Sequence, residues 1–295
     1  MKKPSATEVS RYWNRLLSKY AVANNGKATF QLITTAALFV LCWYLMFLSL
    51  RGPYWGTLLL TLPTVGMLMR LFIFQHDCGH GSFFASTRAN NLVGALIGVV
   101  TLTPYGYWRR THAIHHATSG NLDRREFGDV DTITVREYLA LSFWSRLGYR
   151  LYRHPFVLFV LGGPYQFLLK HRFPFDMPAS WKKEWNSVMG TNVAIAAVVL
   201  LAWQLIGLQR FLLVQGPIIL SMGCVGIWLF YVQHQFEDTY WRKNPEWNFH
   251  RAAMEGSSFY DLPRILHWFT GNIGYHQIHH LASRIPNYNL SACLR

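Results

Sequence analysis

Charged side chains are scarce in this sequence, and acidic side chains are the scarcest. Only 14% of the 295 residues are charged, and 14 Asp and Glu stand against 28 Lys and Arg. Hydrophobic residues make up 51% of the chain. This composition excludes an ordinary soluble enzyme, which covers its surface with more charged residues. It therefore predicts a polytopic membrane protein.

Long basic runs and paired cysteines are also lacking. The formal net charge of +14 comes from basic residues that occur singly or in pairs, which favours contact with an anionic lipid surface and no nucleic acid partner. The cysteines lie far apart, so neither a disulfide framework nor a cysteine metal site is expected. They are predicted to be reduced thiols in or facing a cytoplasmic compartment: Cys42, Cys78, Cys224 and Cys293.

The N-terminus has no apolar core, so a cleavable signal peptide is not expected. Apolar residues recur there at helical spacing, opposite Arg11, Arg15 and Lys19. These apolar residues are Val9, Tyr12, Trp13, Leu16, Leu17 and Tyr20. The pattern predicts an amphipathic helix. Two positions for this helix stay open, on the membrane surface or packed against the protein itself.

Apolar runs divide the chain into candidate membrane spans. Residues 32–50 and 54–74 are each long enough to cross a hydrocarbon core of about 30 Å as a helix, and a second pair follows at residues 193–206 and 211–232. Two further stretches, 92–107 and 156–169, are short, and glycines enrich the first and interrupt the second. Such stretches are predicted to be interfacial or re-entrant helices.

The distribution of basic residues predicts the orientation of these spans. With the termini inside, the two outer loops contain only Arg51 and Arg210 of the 28 Lys and Arg, as the positive-inside rule requires. The expected fold is an all-α integral membrane protein with four transmembrane helices, interfacial or re-entrant helices and a cytoplasmic helical cap. No internal repeat or linker separates a second domain, so residues 1–295 are predicted to form one domain.

Nine of the 13 histidines fall into a regular arrangement. Three sets have short spacings, and one further histidine follows at the end of the fourth span. The sets are His76 and His80; His112, His115 and His116; and His276, His279 and His280, with His234 as the additional residue. On a helix, residues at i, i+3 and i+4 share one face, so each set can point its imidazoles at one place.

The number of these histidines predicts two metal ions rather than one. A single histidine at a helix end is usually an interfacial or hydrogen-bonded residue, but three sets with this spacing on one side of the membrane require another explanation. Imidazole suits zinc, copper, iron and nickel, so the spacing does not identify the metal. A zinc site takes four ligands, and nine exceed that number. Two metals with four or five ligands each fit the count.

Four segments resemble the histidine boxes and flanks of the membrane-bound fatty acid desaturases, in particular the bacterial acyl-lipid omega-6 (delta-12) type. They read HDCGHGSFF, WRRTHAIHH, VQHQFEDTYW and GNIGYHQIHHLASRIPNYNL. The resemblance extends from about Leu32 to the C-terminus. It implies two Fe ions in a non-haem di-iron centre, O2 as co-substrate, and a separate ferredoxin-like or cytochrome b5-like electron donor. It also implies a bacterial inner membrane, with the active site and termini cytoplasmic.

Carried over by position, the eight box histidines match the family's metal ligands, and His234 resembles the additional histidine after the last span. An asparagine that takes part in the stearoyl-type branch is Phe230 here. Asn272 is available instead, either as a ligand or as a helix cap. The remaining histidines are expected to be structural or interfacial: His154, His171, His250 and His267.

Carboxylates near the boxes are candidates for orienting the metal-binding rings. The alternative for each of them is a surface charge or a salt bridge with Arg109, Arg110 or Arg264. These carboxylates are Asp77, Asp129, Asp131, Glu237, Asp238 and Asp261.

The resemblance predicts a desaturase that inserts a cis double bond into acyl chains of membrane glycerolipids, with delta-12 as the expected position. A sister reaction on the same scaffold, acyl-lipid or carotenoid hydroxylation or oxygenation, stays open. A haem-binding or metal-transporting membrane protein is the alternative of another class, although haem uses one or two axial histidines and transporters place ligands near the midplane. The chain ends five residues after PNYNL, which adds the alternative of a C-terminally truncated chain.

Overall fold

All regular structure in the described part of the chain is helical. The computed structural model describes residues 6–125, 127–128 and 130–293, which form helices and two isolated β-bridges but no strand. The helices are α1 (Ala6–Leu17), α2 (Asn25–Ser49), α3 (Trp55–His80), α4 (Thr87–Val100), α5 (Tyr105–Thr118), α6 (Val135–Ala140), α7 (Phe143–Arg153), α8 (Phe156–Lys170), α9 (Lys182–Ile206), α10 (Leu208–His234), α11 (Phe249–Glu255), α12 (Arg264–Phe269), α13 (His276–Leu281) and α14 (Asn287–Cys293).

Four of these helices are long and apolar enough to cross a membrane, as the sequence predicted. They are α2, α3, α9 and α10, and each contains one of the predicted apolar runs almost entirely. The helices extend beyond those runs, α3 to His80 and α10 to His234. Hydropathy marks the part of a helix that meets lipid, whereas its backbone hydrogen bonds continue through the polar turns that follow.

Helix α3 lies at the centre of the bundle, and its buried side chains meet those of α2 and α10. Arg70 on α3 is 5% exposed, and its Nε donates to Thr35 Oγ1 at 3.2 Å. Its guanidinium also donates to the carbonyl of Trp268 and lies 4.4 Å from the centroid of that residue's ring. A buried arginine therefore joins the spans to α12, the helix that precedes the third set of histidines.

The two ambiguous apolar stretches form helices of different kinds. Residues 92–107 are divided between α4 and α5 by a turn in which Leu102 has a φ of 54°. Residues 156–169 lie within α8, where wider π-helical turns flank a short α-helical segment. The first stretch is therefore two elements, because the turn at Leu102 breaks the helical hydrogen bonds.

The amphipathic helix predicted at the N-terminus is α1, and part of its apolar face packs against the protein. Leu17 is buried in a cluster with Ile278, Ile285 and Leu290. Tyr12, in contrast, is 59% exposed. Of the two positions that the sequence left open, packing against the protein accounts for the side that carries Leu17.

Helix α7 is also amphipathic, and none of its residues is buried. Phe143, Trp144, Leu147 and Leu151 are exposed along one face, while three arginines follow the other face. The helix leads directly into apolar α8. An apolar face beside basic residues is typical of helices that lie in a membrane interface.

Helices α8 and α10 approach most closely where Gly163 faces Gly223. A Cβ added at Gly223 would lie 2.8 Å from the carbonyl carbon of Gly163. We expect Gly223→Ala to lower the thermal unfolding midpoint, because overpacking costs about 1–3 kcal/mol. Gly216→Ala in the same helix is the control, since its Cβ would meet nothing within 4 Å and alanine favours a helix by up to about 1 kcal/mol. Equal midpoints for the two variants would contradict this packing.

Candidate metal centre

The nine histidines of the sequence pattern come together at one end of the bundle. His76 and His80 lie in the last turns of α3, and His234 is the last residue of α10. The second set occupies α5, and the third occupies α13. Their i, i+3 and i+4 spacing places each set on one helix face, as predicted.

Their ring nitrogens form two groups, and in each group the candidate ligand atoms lie within 4.8 Å of one another. The five-histidine group consists of His76, His80, His112, His116 and His279, and the four-histidine group consists of His115, His234, His276 and His280. The groups do not follow the sets of the sequence, so the prediction that each set points its imidazoles at one place is wrong for the second and third sets. Helix α5 sends His115 to one group and its neighbours to the other, and α13 divides its histidines in the same way.

Several imidazoles, in both groups, are held in their neutral form. His115 and His279 have no exposed surface. Burial, followed by the neighbouring imidazoles, lowers the pKa of His112, His116 and His276 well below 6.5. Neutral imidazole is the form that binds a metal ion. These three imidazoles can therefore bind a metal ion at neutral pH without first losing protons.

Contacts between ring nitrogens show that the five-histidine group fits a cation. The Nε2 atoms of His80, His112, His116 and His279 form a row in which each consecutive pair is 3.1 Å apart. A neutral Nε2 carries either one hydrogen or one lone pair, so these three contacts cannot all be hydrogen bonds. Two nitrogens bound at right angles to one metal ion, each about 2.1 Å from it, are about 3.0 Å apart. A metal ion therefore explains the whole row.

The four-histidine group has the same geometry. Its Nε2 atoms approach at His234, which lies 3.1 Å from His115 and 2.9 Å from His276. Buried Nε2 atoms of His76, in the first group, and of His280, in the second, have no hydrogen-bond partner. A buried polar atom without a partner is costly. The donor set of each group thus fits a resident metal ion.

Among the predicted orienting carboxylates, Asp77 contacts a box histidine. Its Oδ1 lies 3.1 Å from His76 Nδ1. Asp261 instead lies 3.4 Å from Nε2 of His267. Asp129 lies outside the described residues. For the other three, no hydrogen bond to the nine histidines occurs in the ranges that the structure describes: Asp131, Glu237 and Asp238.

Two further positions were considered from the sequence, Asn272 and Phe230. Asn272 does not cap α13, whose N-cap is Tyr275, and its side-chain Nδ2 donates to the carbonyl of Asn287 at 3.0 Å. Phe230 packs its ring 5.3 Å from that of His115 and 5.1 Å from that of His234. Phe230 thus forms an apolar wall of the four-histidine group where a polar ligand would stand in the stearoyl-type branch.

The four remaining histidines lie outside both groups. His171 is buried, and its ring contacts the carbonyl of Leu102 and the amide of Gln166. Burial lowers its pKa to about 3. Arg110, considered above as a partner of the box carboxylates, pairs with Glu184 at 3.1 Å. Sequence reasoning missed Glu184, which lies outside every motif.

Comparison with known proteins identifies the family. The model of the fatty acid desaturase family matches residues 52–295. The chain is 48% identical over 274 residues, 93% of its length, to a fatty acid desaturase of Bacillus subtilis (strain 168), of which it covers 77%. The chain belongs to the fatty acid desaturase family. It is therefore a member of a family of O2-dependent membrane oxidoreductases.

More distant desaturases also match this chain. The chain is 29% identical over 232 residues to the sn-1 acyl-lipid omega-3 desaturase (ferredoxin) of Synechocystis sp.. It is 28% identical over 241 residues to the endoplasmic reticulum omega-3 fatty acid desaturase of Vigna radiata. About three quarters of the chain is covered in each case, and the chain spans 61% and 60% of the length of these relatives.

Proposed function

We propose that this desaturase is a di-iron enzyme that inserts a cis double bond into acyl chains of membrane glycerolipids. Two neighbouring methylenes lose one hydrogen each, and O2, two electrons and two protons from outside the substrate complete the formation of two water molecules. Two bound irons would activate O2 so that it can break unactivated C–H bonds. The observation that carries this proposal is the pair of histidine groups, one buried and one partly buried, which offers five and four ligands.

The chain's own side chains would hold and shield the metals. Imidazoles bind iron without presenting thiolates that the reaction would oxidise. Trp108 stacks on His112 with ring centroids 4.4 Å apart, and Phe230 covers His115 and His234. These aromatic rings would limit the access of water to the imidazoles that they cover, which protects the oxidant from side reactions.

The choice of substrate and electron donor rests on the resemblance and on the relatives. The Synechocystis relative is named as acting on acyl lipid with ferredoxin, which supports a lipid-linked acyl chain and a separate one-electron donor for this chain. The delta-12 position is proposed from the motif resemblance. The distance between the lipid head group and the irons would set the position, and delta-5, delta-9 and omega-3 are the competing outcomes.

The reaction is tested by expression in a bacterium that makes oleate and palmitoleate, with a ferredoxin donor supplied. We expect a new diene in phospholipid acyl chains, located by mass spectrometry of derivatised fatty acids. Delta-12 is supported by a bond at that position and overturned by one elsewhere. A hydroxylated chain would instead identify the sister reaction, and an unchanged lipid profile from iron-loaded enzyme would argue against acyl lipids as substrate.

We also propose that the termini and both histidine groups face the cytoplasm of a bacterial inner membrane. Impermeant thiol reagents applied from outside should label Arg51→Cys and Arg210→Cys, while Lys243→Cys should react only after permeabilisation. All three positions are exposed, whereas Ser119 in the second box loop is buried and would stay unlabelled in either orientation. Outside labelling of Lys243→Cys in intact cells would reverse the orientation.

A further inference from the structure

A buried carboxylate with an unusual donor set lies beside the five-histidine group. Asp77 is 1% exposed, and no Lys or Arg pairs with it among the described residues. Its Oδ2 accepts two hydrogen bonds from one residue 210 positions away, from the backbone N–H of Asn287 at 2.7 Å and from its Nδ2 at 2.8 Å. An ionised carboxylate is stable in such a place only when strong donors satisfy it.

The other oxygen of Asp77 acts on a candidate metal ligand. Oδ1 lies 3.1 Å from His76 Nδ1, so a carboxylate there keeps the hydrogen on Nδ1 and leaves the lone pair on Nε2. The Nε2 of His76 is buried and without a hydrogen-bond partner. It belongs to the cluster of ligand atoms in the five-histidine group. Asp77 therefore fixes the tautomer and the direction of this ring.

Asn287 is itself held in place by neighbouring contacts. Its carbonyl accepts from Asn272 Nδ2 at 3.0 Å. The hydroxyl of Tyr288 donates to the carbonyl of Phe83 at 3.0 Å and accepts from the backbone N–H of Asn24 at 2.8 Å. These bonds seat the first turn of α14 on the loops at the end of α3 and before α2.

Asn289, two residues after Asn287, contacts a third part of the chain. The side chain of Asn289 donates to the carbonyls of Tyr20 at 2.9 Å and Val22 at 3.3 Å. Three consecutive residues thus contact Asp77, the loops around α2 and α3, and the segment after α1. Only the first of them contacts the carboxylate that orients a candidate metal ligand.

We infer that Asn287 is a positioning residue for the five-histidine group, which it serves by holding Asp77 against His76. The inference rests on the proposed metal binding and deepens it. It makes the PNYNL segment part of the metal site although the segment contains none of the nine histidines. Loss of the Asn287 side chain leaves Oδ2 of Asp77 with one donor, the backbone N–H of Asn287, so the carboxylate can turn away and release the His76 ring.

The test compares iron binding by purified protein with Asn287→Ala, Asn287→Ser and the matched control Asn289→Ala. The loss of such an outer contact typically weakens metal binding about 10- to 100-fold. Asn287→Ala should therefore lower the affinity for one of the two irons by that factor. The serine hydroxyl can still donate to Asp77, and we expect it to restore part of the affinity. Asn289→Ala loses two bonds from the same turn and should retain both irons.

A spectroscopic readout separates positioning from a general loss of structure. In protein loaded with ⁵⁷Fe, Asn287→Ala should change the Mössbauer signal of one iron and leave the other unchanged. If Asn287→Ala does not fold, Asp77→Asn provides the same comparison, because it removes the charge that binds the His76 N–H. Asn287→Ala with wild-type iron affinity and signal, or an equal loss in Asn289→Ala, would overturn the inference. Wild-type protein that binds no iron would overturn the proposed function instead.

Discussion

Replacing His115 with alanine is expected to abolish turnover and to lower iron content. His115 has no exposed surface, and its Nε2 lies 3.1 Å from that of His234 in the four-histidine group. The variant leaves three of the four imidazoles in this group, so the metal ion there would lack one of its ligands. Removal of a direct ligand should lower the affinity for iron by more than the roughly 100-fold that the loss of an outer contact causes. Turnover with a competent donor and iron analysis of the purified protein measure the two effects.

His154→Ala is the matched control for this experiment. His154 is exposed and lies outside both groups, so turnover and iron content should remain near those of the wild type. His171 is less suitable, because it is buried and its ring contacts Leu102 and Gln166. A His115→Ala enzyme with full turnover and two irons would show that the four-histidine group is not the metal site.

Metal-free protein is expected to lose stability steeply as the pH falls below about 6.5. Burial and neighbouring imidazoles lower the pKa of His112, His116 and His276 from an ordinary value of 6.5. Below that value the unfolded chain binds more protons than the folded chain does. The free energy of unfolding therefore falls as the pH falls. Each such group contributes about 1.4 kcal/mol per pH unit, until the pH reaches its lowered pKa in the folded protein.

The measurement is the thermal unfolding midpoint of chelator-treated protein between about pH 7.5 and pH 5.5. Iron-loaded protein is the control, because bound metal occupies the imidazole lone pairs and stabilises the folded state. Its midpoint should fall less over the same range until metal is released. A midpoint of the metal-free protein that is constant across this range would contradict the neutral, clustered imidazoles.

The membrane architecture could be predicted because its signals are local. An apolar run of sufficient length forms a spanning helix whatever its neighbours are, since an exposed backbone polar group is not tolerated in lipid. The four spans were found for this reason. Residues 92–107 were not resolved into α4 and α5, because the turn at Leu102 depends on contacts with other elements, among them the bond between the Leu102 carbonyl and Arg172.

The candidate site was only partly accessible to sequence reasoning. The nine histidines stood out by spacing, and Asp77 stood out because it follows His76. The roles of Asn272 and Asn287 could not be predicted, since an asparagine has no preferred partner until the fold brings one near. Arg110 shows the same limit, because its partner Glu184 lies 74 positions away in the sequence.

The sequence by itself determined which side chains share one face of each helix. The helical repeat fixes the directions of residues at i, i+3 and i+4, so each histidine set was complete before any packing was known. Only the tertiary structure decided that His115 leaves its neighbours to join His234, and that Asn287 meets Asp77. Those pairings depend on how α5, α10, α13 and α14 cross, and that packing is determined by contacts between residues far apart in the chain.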